Sequence, residues 1–100
     1  MDKFILDDKG NPVKELDLLT WAKWFESANR VVAKDEIGET LISTVFLGVD
    51  YSFNGDMPIL FQTMIFGGAH DGYQERYATR AAAVAGHQRA LSLASVICET

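Results

Sequence analysis

Cysteine, proline and long apolar segments are scarce in this chain, and the scarcity excludes several classes of protein. Cys98 is the only cysteine, so no disulfide forms within the chain, and we expect a reduced, cytoplasmic setting. The most apolar stretches, residues 41–49 and 57–66, are strand-length and fall short of the ~20 residues that a membrane span needs. Residues 1–12 bring acidic groups before any adequate apolar stretch, unlike a signal peptide. The sequence therefore predicts one domain over residues 1–100, with no membrane segment.

The net charge of the 100-residue chain is −5, and positive charge is missing from its middle. No Lys or Arg lies between residues 35 and 75, whereas seven acidic residues do: Asp35, Glu36, Glu39, Asp50, Asp56, Asp71 and Glu75. Because a nucleic-acid-binding surface needs cations to displace the counterions of phosphates, we expect no nucleic-acid partner. Three interpretations stay open. The acids are ordinary solubilising charge, a surface that attracts a basic protein partner, or a surface that mimics nucleic acid.

Apolar periodicity and turn residues predict an α+β fold in the order β-α-β-β-β-β-α. We expect strands over 3–6, 31–37, 40–49, 58–66 and 73–78, and helices over 17–29 and from 80 to about 97. Short connections favour antiparallel neighbours. The predicted architecture is therefore a four- to five-stranded antiparallel meander sheet with two helices, the C-terminal helix packed on the sheet.

Each predicted helix has one apolar face. In the first helix the face consists of Leu18, Trp21, Ala22, Phe25 and Ala28. This arrangement leaves Trp24 to the side. In the last helix the face consists of Val84, His87, Leu91, Ala94 and Cys98, and it is flanked by Ala83, Ala90 and Ile97.

No sequence motif for catalysis, cofactor binding or metal binding is present. The chain has no phosphate loop, dinucleotide fingerprint, C-x-x-C, H-E-x-x-H or G-x-S-x-G. The glycines at 67, 68 and 72 instead predict a turn with positive φ angles. We interpret His87, alone on an apolar helix face, as a hydrogen-bonded core residue. His70 and Asp71 are the alternative, an acid/base pair in a loop. We therefore predict no catalytic residues, no cofactor-binding residues and no metal ligands.

The loops offer candidate partner-binding residues. Successive turns of a meander alternate between the ends of the sheet, so the turn at Gly38 and the 67–72 loop should share one end. Two aromatic residues are possible interface anchors: Trp24, beside the apolar stripe of the first helix, and Phe53, in the 50–57 loop. The alternative is that both side chains pack on the core. The candidates are Trp24, Glu36, Glu39, Phe53, His70 and Asp71.

Several segments resemble a group of small uncharacterised proteins of tailed phages and prophages. They are ISTVFLGVDYSF (42–53), PILFQTMIFGG (58–68), ERYATR (75–80), AGH (85–87), FILDDKGNPV (4–13) and W-x-x-W-F (21–25). The resemblance covers nearly the whole chain. It implies a phage or bacterial origin and a shared fold, and it carries no established activity and no site residues.

These observations favour a non-catalytic protein-binding module, a phage or prophage accessory protein that acts on a host or phage protein through an acidic surface. One alternative is a small enzyme that uses His70, Asp71 and nearby carboxylates. A minor virion or structural protein is another. The sequence leaves the partner's identity and the oligomeric state open.

Overall fold

The computed structural model describes residues 1–52 and 57–95, which form an α+β fold. The elements in chain order are β1 (Phe4–Leu6), β2 (Pro12–Lys14), α1 (Leu18–Ser27), β3 (Val31–Ile37), β4 (Thr40–Phe46), β5 (Phe61–Phe66), β6 (Gln74–Tyr77) and α2 (Arg80–Ser95). Strands β3-β4-β5-β6 form an antiparallel meander sheet in sequence order, and β1-β2 form a separate antiparallel hairpin. The predicted fold class is confirmed, with α2 packed on the four-stranded sheet.

Strand β2 is absent from the predicted order. It pairs with β1 from Phe4–Lys14 to Leu6–Pro12 across a turn that Asp7 holds. The Asp7 Oδ1 atom accepts hydrogen bonds from the backbone N–H groups of Lys9 and Asn11, both at 2.9 Å. Sequence periodicity missed β2 because a three-residue strand has too few positions to show alternation, and because proline is a poor strand former.

Helix α1 begins where the sequence predicts, but its partly buried face is shifted around the helix towards Trp24. Asp17 is the N-cap, and its carboxylate accepts from the backbone N–H of Leu19 at 3.0 Å. Leu18 and Ala22 are exposed, whereas the partly buried side is formed by Trp21, Trp24, Phe25 and Ala28. The prediction that Trp24 lies beside the stripe is therefore wrong. The aromatic rings decide which face is buried, since they offer far more apolar area than Leu18 or Ala22.

The register of β4 and β5 gives the four-stranded sheet two different faces. Residues directly opposite each other in an antiparallel pair lie on the same face. Ile42–Ile65, Thr44–Thr63 and Phe46–Phe61 are such pairs, and all six residues are fully buried beneath α2. We call this side the inner face. The opposite side, which carries the alternate residues of the same strands, is the outer face.

Small residues allow α2 to lie close to the inner face. Its buried positions are Ala83, Gly86, His87 and Ala90. The Tyr77 ring fills the space where a Cβ atom at Gly86 would lie.

The predicted helix face was centred wrongly, because Val84 is 46% exposed and Leu91 is only partly buried. The N-cap is as predicted: Thr79 Oγ1 accepts from the Ala82 backbone N–H at 3.1 Å. Cys98 and the predicted end of the helix lie outside the described residues.

The core beneath α2 has two apolar clusters. One contains Phe46, Leu60, Phe61, Tyr77 and Ala83, with Phe4, Leu6, Trp24 and Val32 packed against it. The other contains Ile42, Ile65 and Ala90, with Ile37, Tyr73, Leu91, Leu93 and Ala94 around it. Along β4, β5 and α2, the residues between the clusters are Thr44, Thr63 and His87, so a buried polar layer separates them. No helix in the described part of the chain is long and apolar enough to cross a membrane.

Candidate functional site

The turn at Gly38 and the 67–72 loop lie together at one end of the sheet, as the meander predicts. Gly67 has a φ of 83°, and a Cβ atom there would lie 2.6 Å from the carbonyl oxygen of Glu39. A Cβ atom at Gly68 would likewise lie too close to the side-chain oxygen of Thr40. Glycine is therefore required in this loop both for its positive φ and for the close approach of the turn.

His70 and Asp71 both lie in this loop, and Asp71 serves the loop itself. The Asp71 Oδ1 atom accepts from the backbone N–H of Gly67 at 2.7 Å, and the His70 carbonyl accepts from the N–H of Tyr73 at 3.0 Å. Within the described residues, the His70 ring and the Asp71 carboxylate are not hydrogen-bonded to each other. The geometry therefore gives Asp71 a role in holding the turn and shows no bond that would orient His70 as a base.

The two glutamates at this end are exposed and project into solvent. Glu36 stands opposite Leu41, which places both on the outer face, and Glu39 lies in the turn between β3 and β4. The other aromatic and acidic candidates are placed differently. Trp24 is partly buried, with its edge against the ring of Phe46 at a centroid distance of 5.8 Å. Phe53 lies outside the described residues.

Asp50 is occupied by the backbone of its own loop. Its Oδ1 atom accepts from the N–H of Ser52 at 2.8 Å and from that of Ile59 at 2.9 Å. These two bonds favour the ionised form, so they hold the pKa of Asp50 below its ordinary value. Asp50 therefore fixes the path of the chain between β4 and β5.

The outer face of the sheet is uncovered by the described elements, because α1 packs on β1 and α2 packs on the inner face. Leu41 and Phe66 stand opposite each other on this face, and Phe66 is 45% exposed. Met64 and Val45 continue the apolar surface along β5 and β4, each only partly buried. The exposed Glu36 borders Leu41. An apolar row thus ends at the acidic turn.

The far end of the outer face has a cation that is already engaged. Arg76 Nε donates to the side-chain oxygen of Gln62 at 2.8 Å, and the guanidinium lies over the Tyr51 ring at 4.9 Å. Stacking and hydrogen bonding hold this group against the sheet. The outer face therefore has the exposed carboxylates of Glu36 and Glu39 at one end and an engaged guanidinium at the other, with the exposed Lys34 opposite Ser43 between them.

A second apolar surface lies near the N-terminus. Leu16, Leu18 and Leu19 are 86%, 60% and 71% exposed. A cleft beside them has charged groups of both signs, including Lys14, which pairs with Asp2 at 3.3 Å. Such an exposed ion pair contributes little stability. Because charges of both signs lie beside this surface, its electrostatics favour neither a basic nor an acidic partner.

A chain of buried and part-buried hydrogen bonds crosses the inner face from β3 to the middle of the sheet. The Nε2 atom of His87 lies 2.7 Å from Asp35 Oδ2, and its Nδ1 atom lies 2.7 Å from Thr44 Oγ1. Thr44 Oγ1 in turn lies 2.5 Å from Thr63 Oγ1. His87 is 1% exposed, and both threonines are fully buried. The prediction that His87 is a hydrogen-bonded core residue is confirmed.

The hydrogen bonds continue to the other edge of the sheet. Tyr77 Oη lies 3.1 Å from Thr63 Oγ1 and 3.1 Å from Glu75 Oε1. Glu75 also accepts from Tyr73 Oη at 3.2 Å and from Arg89 Nη2 at 3.2 Å. We call the connected groups the polar chain; in order they are Asp35, His87, Thr44, Thr63, Tyr77 and Glu75.

Two groups at the β6 end of the polar chain have shifted pKa values. Burial acts to raise the pKa of Glu75, but hydrogen bonds from Arg89, Tyr77 and Tyr73 outweigh burial, so the pKa lies below its ordinary value. Burial raises the pKa of Tyr77; the bond with Thr63 opposes this, and the Glu75 carboxylate reinforces it. Glu75 is therefore an ionised acceptor, and Tyr77 keeps its hydroxyl hydrogen.

The order Asp35–His87–Thr44 is that of an acid, a base and a hydroxyl nucleophile. Its burial argues against that chemistry, because Thr44 is fully buried between β5 and α2 and its oxygen already contacts two side chains. A substrate has no path to this oxygen in the folded chain. The arrangement is therefore suited to holding α2 on the sheet.

The sequence contains a signal for the polar chain that periodicity alone does not reveal. Both central strands place one threonine between two large apolar residues of the same face, as in Ile42-x-Thr44-x-Phe46. A hydroxyl in such a position needs a buried partner, and a lone histidine on the covering helix can supply one. Within residues 1–52 and 57–95, no group of three or more metal-ligating side chains is close enough to hold an ion.

Comparison with known protein families, curated proteins and solved structures gives no match to this chain.

Proposed function

We propose that this chain is a non-catalytic protein-binding module that engages its partner through the outer face and the acidic turn beside it. The observation that carries the proposal is the row of Leu41 and Phe66, only partly buried on an uncovered sheet face, next to the exposed carboxylates of Glu36 and Glu39. Apolar area supplies affinity in such an arrangement, and the charges supply steering.

The chemistry of this surface indicates the kind of partner. A protein that covers Phe66 and Leu41 must offer an apolar patch of its own, and Lys or Arg at one side of that patch would meet Glu36 and Glu39. The acids attract such a partner from a distance, and this attraction weakens when salt screens it. We therefore expect a protein partner with an apolar patch that has a basic rim.

Two observations favour binding over catalysis. In the one acid–base–hydroxyl arrangement of the described residues the base and the hydroxyl are buried, and the loop pair His70–Asp71 lacks a mutual hydrogen bond. The resemblance to small phage and prophage proteins supports a bacterial cytoplasm as the setting, where an accessory protein acts on host or phage proteins. The partner itself is to be identified by experiment.

Site-specific photo-cross-linking tests the proposal. A photoreactive amino acid is placed at Phe66 on the outer face, at Leu18 on the N-terminal surface, or at Val84 on the solvent side of α2, in otherwise identical chains expressed in bacteria with and without phage infection. We expect a discrete protein adduct from position 66 alone. The same adducts from all three positions, or a discrete adduct only from position 18, would contradict the proposed surface.

Charge variants test whether the acidic turn selects the partner. Glu36→Lys combined with Glu39→Lys should reduce the adduct from position 66 severalfold and remove most of its dependence on salt. Glu26→Lys, an exposed glutamate on α1, is the matched control for changing charge elsewhere and should leave the adduct unchanged. An adduct that is insensitive to the double variant would show that the carboxylates do not contribute.

A further inference from the structure

The polar chain begins and ends on carboxylates, and this fixes how many hydrogens it needs. Five contacts join its six groups, and each contact requires one hydrogen between the two heavy atoms. Three hydroxyl groups bring one hydrogen each and a neutral imidazole brings one, so these groups supply four. Ionised carboxylates supply none. The chain with a neutral histidine is therefore one hydrogen short.

We infer that His87 carries a hydrogen on both ring nitrogens in the folded chain, so that the polar chain holds one buried, bound proton between Asp35 and Glu75. With this proton, Nε2–H donates to Asp35 and Nδ1–H donates to Thr44. The remaining hydroxyls then all donate in one direction, from Thr44 through Thr63 and Tyr77 to Glu75. Every contact along the chain has its hydrogen.

The alternative locations for the extra hydrogen are the two terminal carboxylates. Glu75 is held ionised by Arg89, Tyr77 and Tyr73, as the lowered pKa of its carboxyl shows. Asp35 shares a 2.7 Å contact with the His87 ring, and imidazole is the stronger base of the two, so the proton resides on the nitrogen. The ring nitrogen is therefore the place for it.

The charged and titratable groups around the ring are consistent with this location. Strand β3 offers Asp35, β6 offers Glu75, Tyr73 and Tyr77, and α2 itself offers Arg89, which is bound to Glu75. The inner-face contacts from β4 and β5 are the threonine hydroxyls. The nearest charge to the ring is thus the carboxylate of Asp35, which accepts the Nε2 hydrogen.

Losing the proton leaves one contact of the polar chain without a hydrogen. A neutral ring that donates to Asp35 must accept from Thr44, so the missing hydrogen falls at one of the three contacts between Thr44 and Glu75. If all three hydroxyls reverse, Tyr77 donates to Thr63, and two oxygen atoms without a hydrogen face each other 3.1 Å apart at Glu75. The protonation of His87 is therefore coupled to the directions of the hydroxyl groups along the chain. This inference rests on the fold and is independent of the proposed function.

Nitrogen-15 NMR of the imidazole side chains in the full chain tests the inference. At about pH 7, where histidine charge is decided by its surroundings, both ring nitrogens of wild-type His87 should have imidazolium chemical shifts. Glu75→Gln should move them to the neutral pattern, because the amide N–H supplies the missing hydrogen. Tyr77→Phe should do the same, because the three contacts that remain are matched by the hydrogens of a neutral ring and two threonines.

Arg89→Gln is the matched control, since it removes a neighbour of Glu75 and leaves the number of hydrogens in the polar chain unchanged. It should keep the imidazolium pattern of His87. Amide spectra establish that each variant is folded. If one of the two test variants does not fold, the other is sufficient for the test. A neutral His87 in the wild-type chain would overturn the inference, and so would an imidazolium pattern that persists in folded Glu75→Gln or Tyr77→Phe.

Discussion

Two adjacent residues of β5 show how differently the two faces of one sheet are used. Ile65 is fully buried on the inner face beneath α2, whereas Phe66 is 45% exposed on the outer face, although phenylalanine is the larger apolar residue. The inner face is closed by a helix and contains a polar layer in its middle. The outer face has apolar residues among polar ones and has neither helix against it.

This difference shows that burial, and not hydrophobicity alone, separates the residues that hold the fold from those available for a partner. Exposed apolar side chains in a row, bordered by charge, are typical of interaction surfaces. Buried hydroxyls on the closed face indicate specificity of packing, because a helix position that left one of them unpaired would be costly. Substitutions on the two faces should therefore have contrasting effects.

The largest expected difference is between alanine substitutions at the two neighbouring residues. Ile65→Ala should lower the free energy of unfolding by about 2–5 kcal/mol, because it leaves a cavity beneath α2. Phe66→Ala should change it by less than about 1 kcal/mol, since solvent already reaches the ring. Denaturant midpoints at unchanged slope measure both. Equal losses would show that the outer face is part of the core.

Gly86→Ala probes the closeness of helix and sheet on the inner face. The new methyl group would occupy the space of the Tyr77 ring, so the helix or the ring must shift. We expect a loss of about 2–3 kcal/mol, even though alanine is the better helix former. Gln88→Ala, on the exposed side of the same helix, should stay within about 0.5 kcal/mol. A stabilised Gly86→Ala would mean that α2 lies further from the sheet.

Thr44→Val removes a link of the polar chain at nearly constant shape. His87 Nδ1 and Thr63 Oγ1 each lose a buried partner, so we expect a loss of about 1–3 kcal/mol. The neighbouring Ser43→Ala, on the outer face, should change stability by less than about 0.5 kcal/mol. Chemical denaturation at one pH compares the two variants. A Thr44→Val variant that is as stable as the parent would show that the buried hydroxyl contributes no net stability.

The smallest expected effect is an alkaline one. Burial raises the pKa of Tyr77 above its ordinary value of 10.0, so the folded state favours the protonated phenol. Its contribution to stability is complete below that ordinary value and is lost as the pH rises through the raised pKa. The pKa of Tyr73 is raised as well, first by burial. Tyr77→Phe should therefore reduce, but not abolish, the fall in denaturant midpoint at alkaline pH. An unchanged pH profile would contradict this assignment.

Strong local signals made most of the fold predictable from the sequence. Alternation in β4, the glycines at 38 and 67 and the caps at Asp17 and Thr79 each agree with the structure. Residues with competing preferences were predicted less well. The stripe on α1 was assigned by spacing, but Trp24 gains more by packing on Phe46 than Leu18 would by burial.

The face of α2 and the polar chain depend on tertiary contacts that spacing does not encode. From the sequence, Gly86 is only a residue of low helix propensity. The contact with the Tyr77 ring explains why glycine is present there. The pairing of His87 with Asp35 joins residues 52 positions apart. The acidic count also overstated the free acidic surface, because Asp35, Glu75, Asp50 and Asp71 all accept hydrogen bonds within the fold.

The separation of roles between the two faces is tested most directly by one variant measured in two ways. Phe66→Lys is introduced into a chain with a photoreactive amino acid at Met64, also on the outer face, and both the free energy of unfolding and the adduct yield are compared with those of the parent. The account predicts stability within about 1 kcal/mol and loss of most of the adduct. A folded variant that keeps its adduct, or one that unfolds, would contradict it.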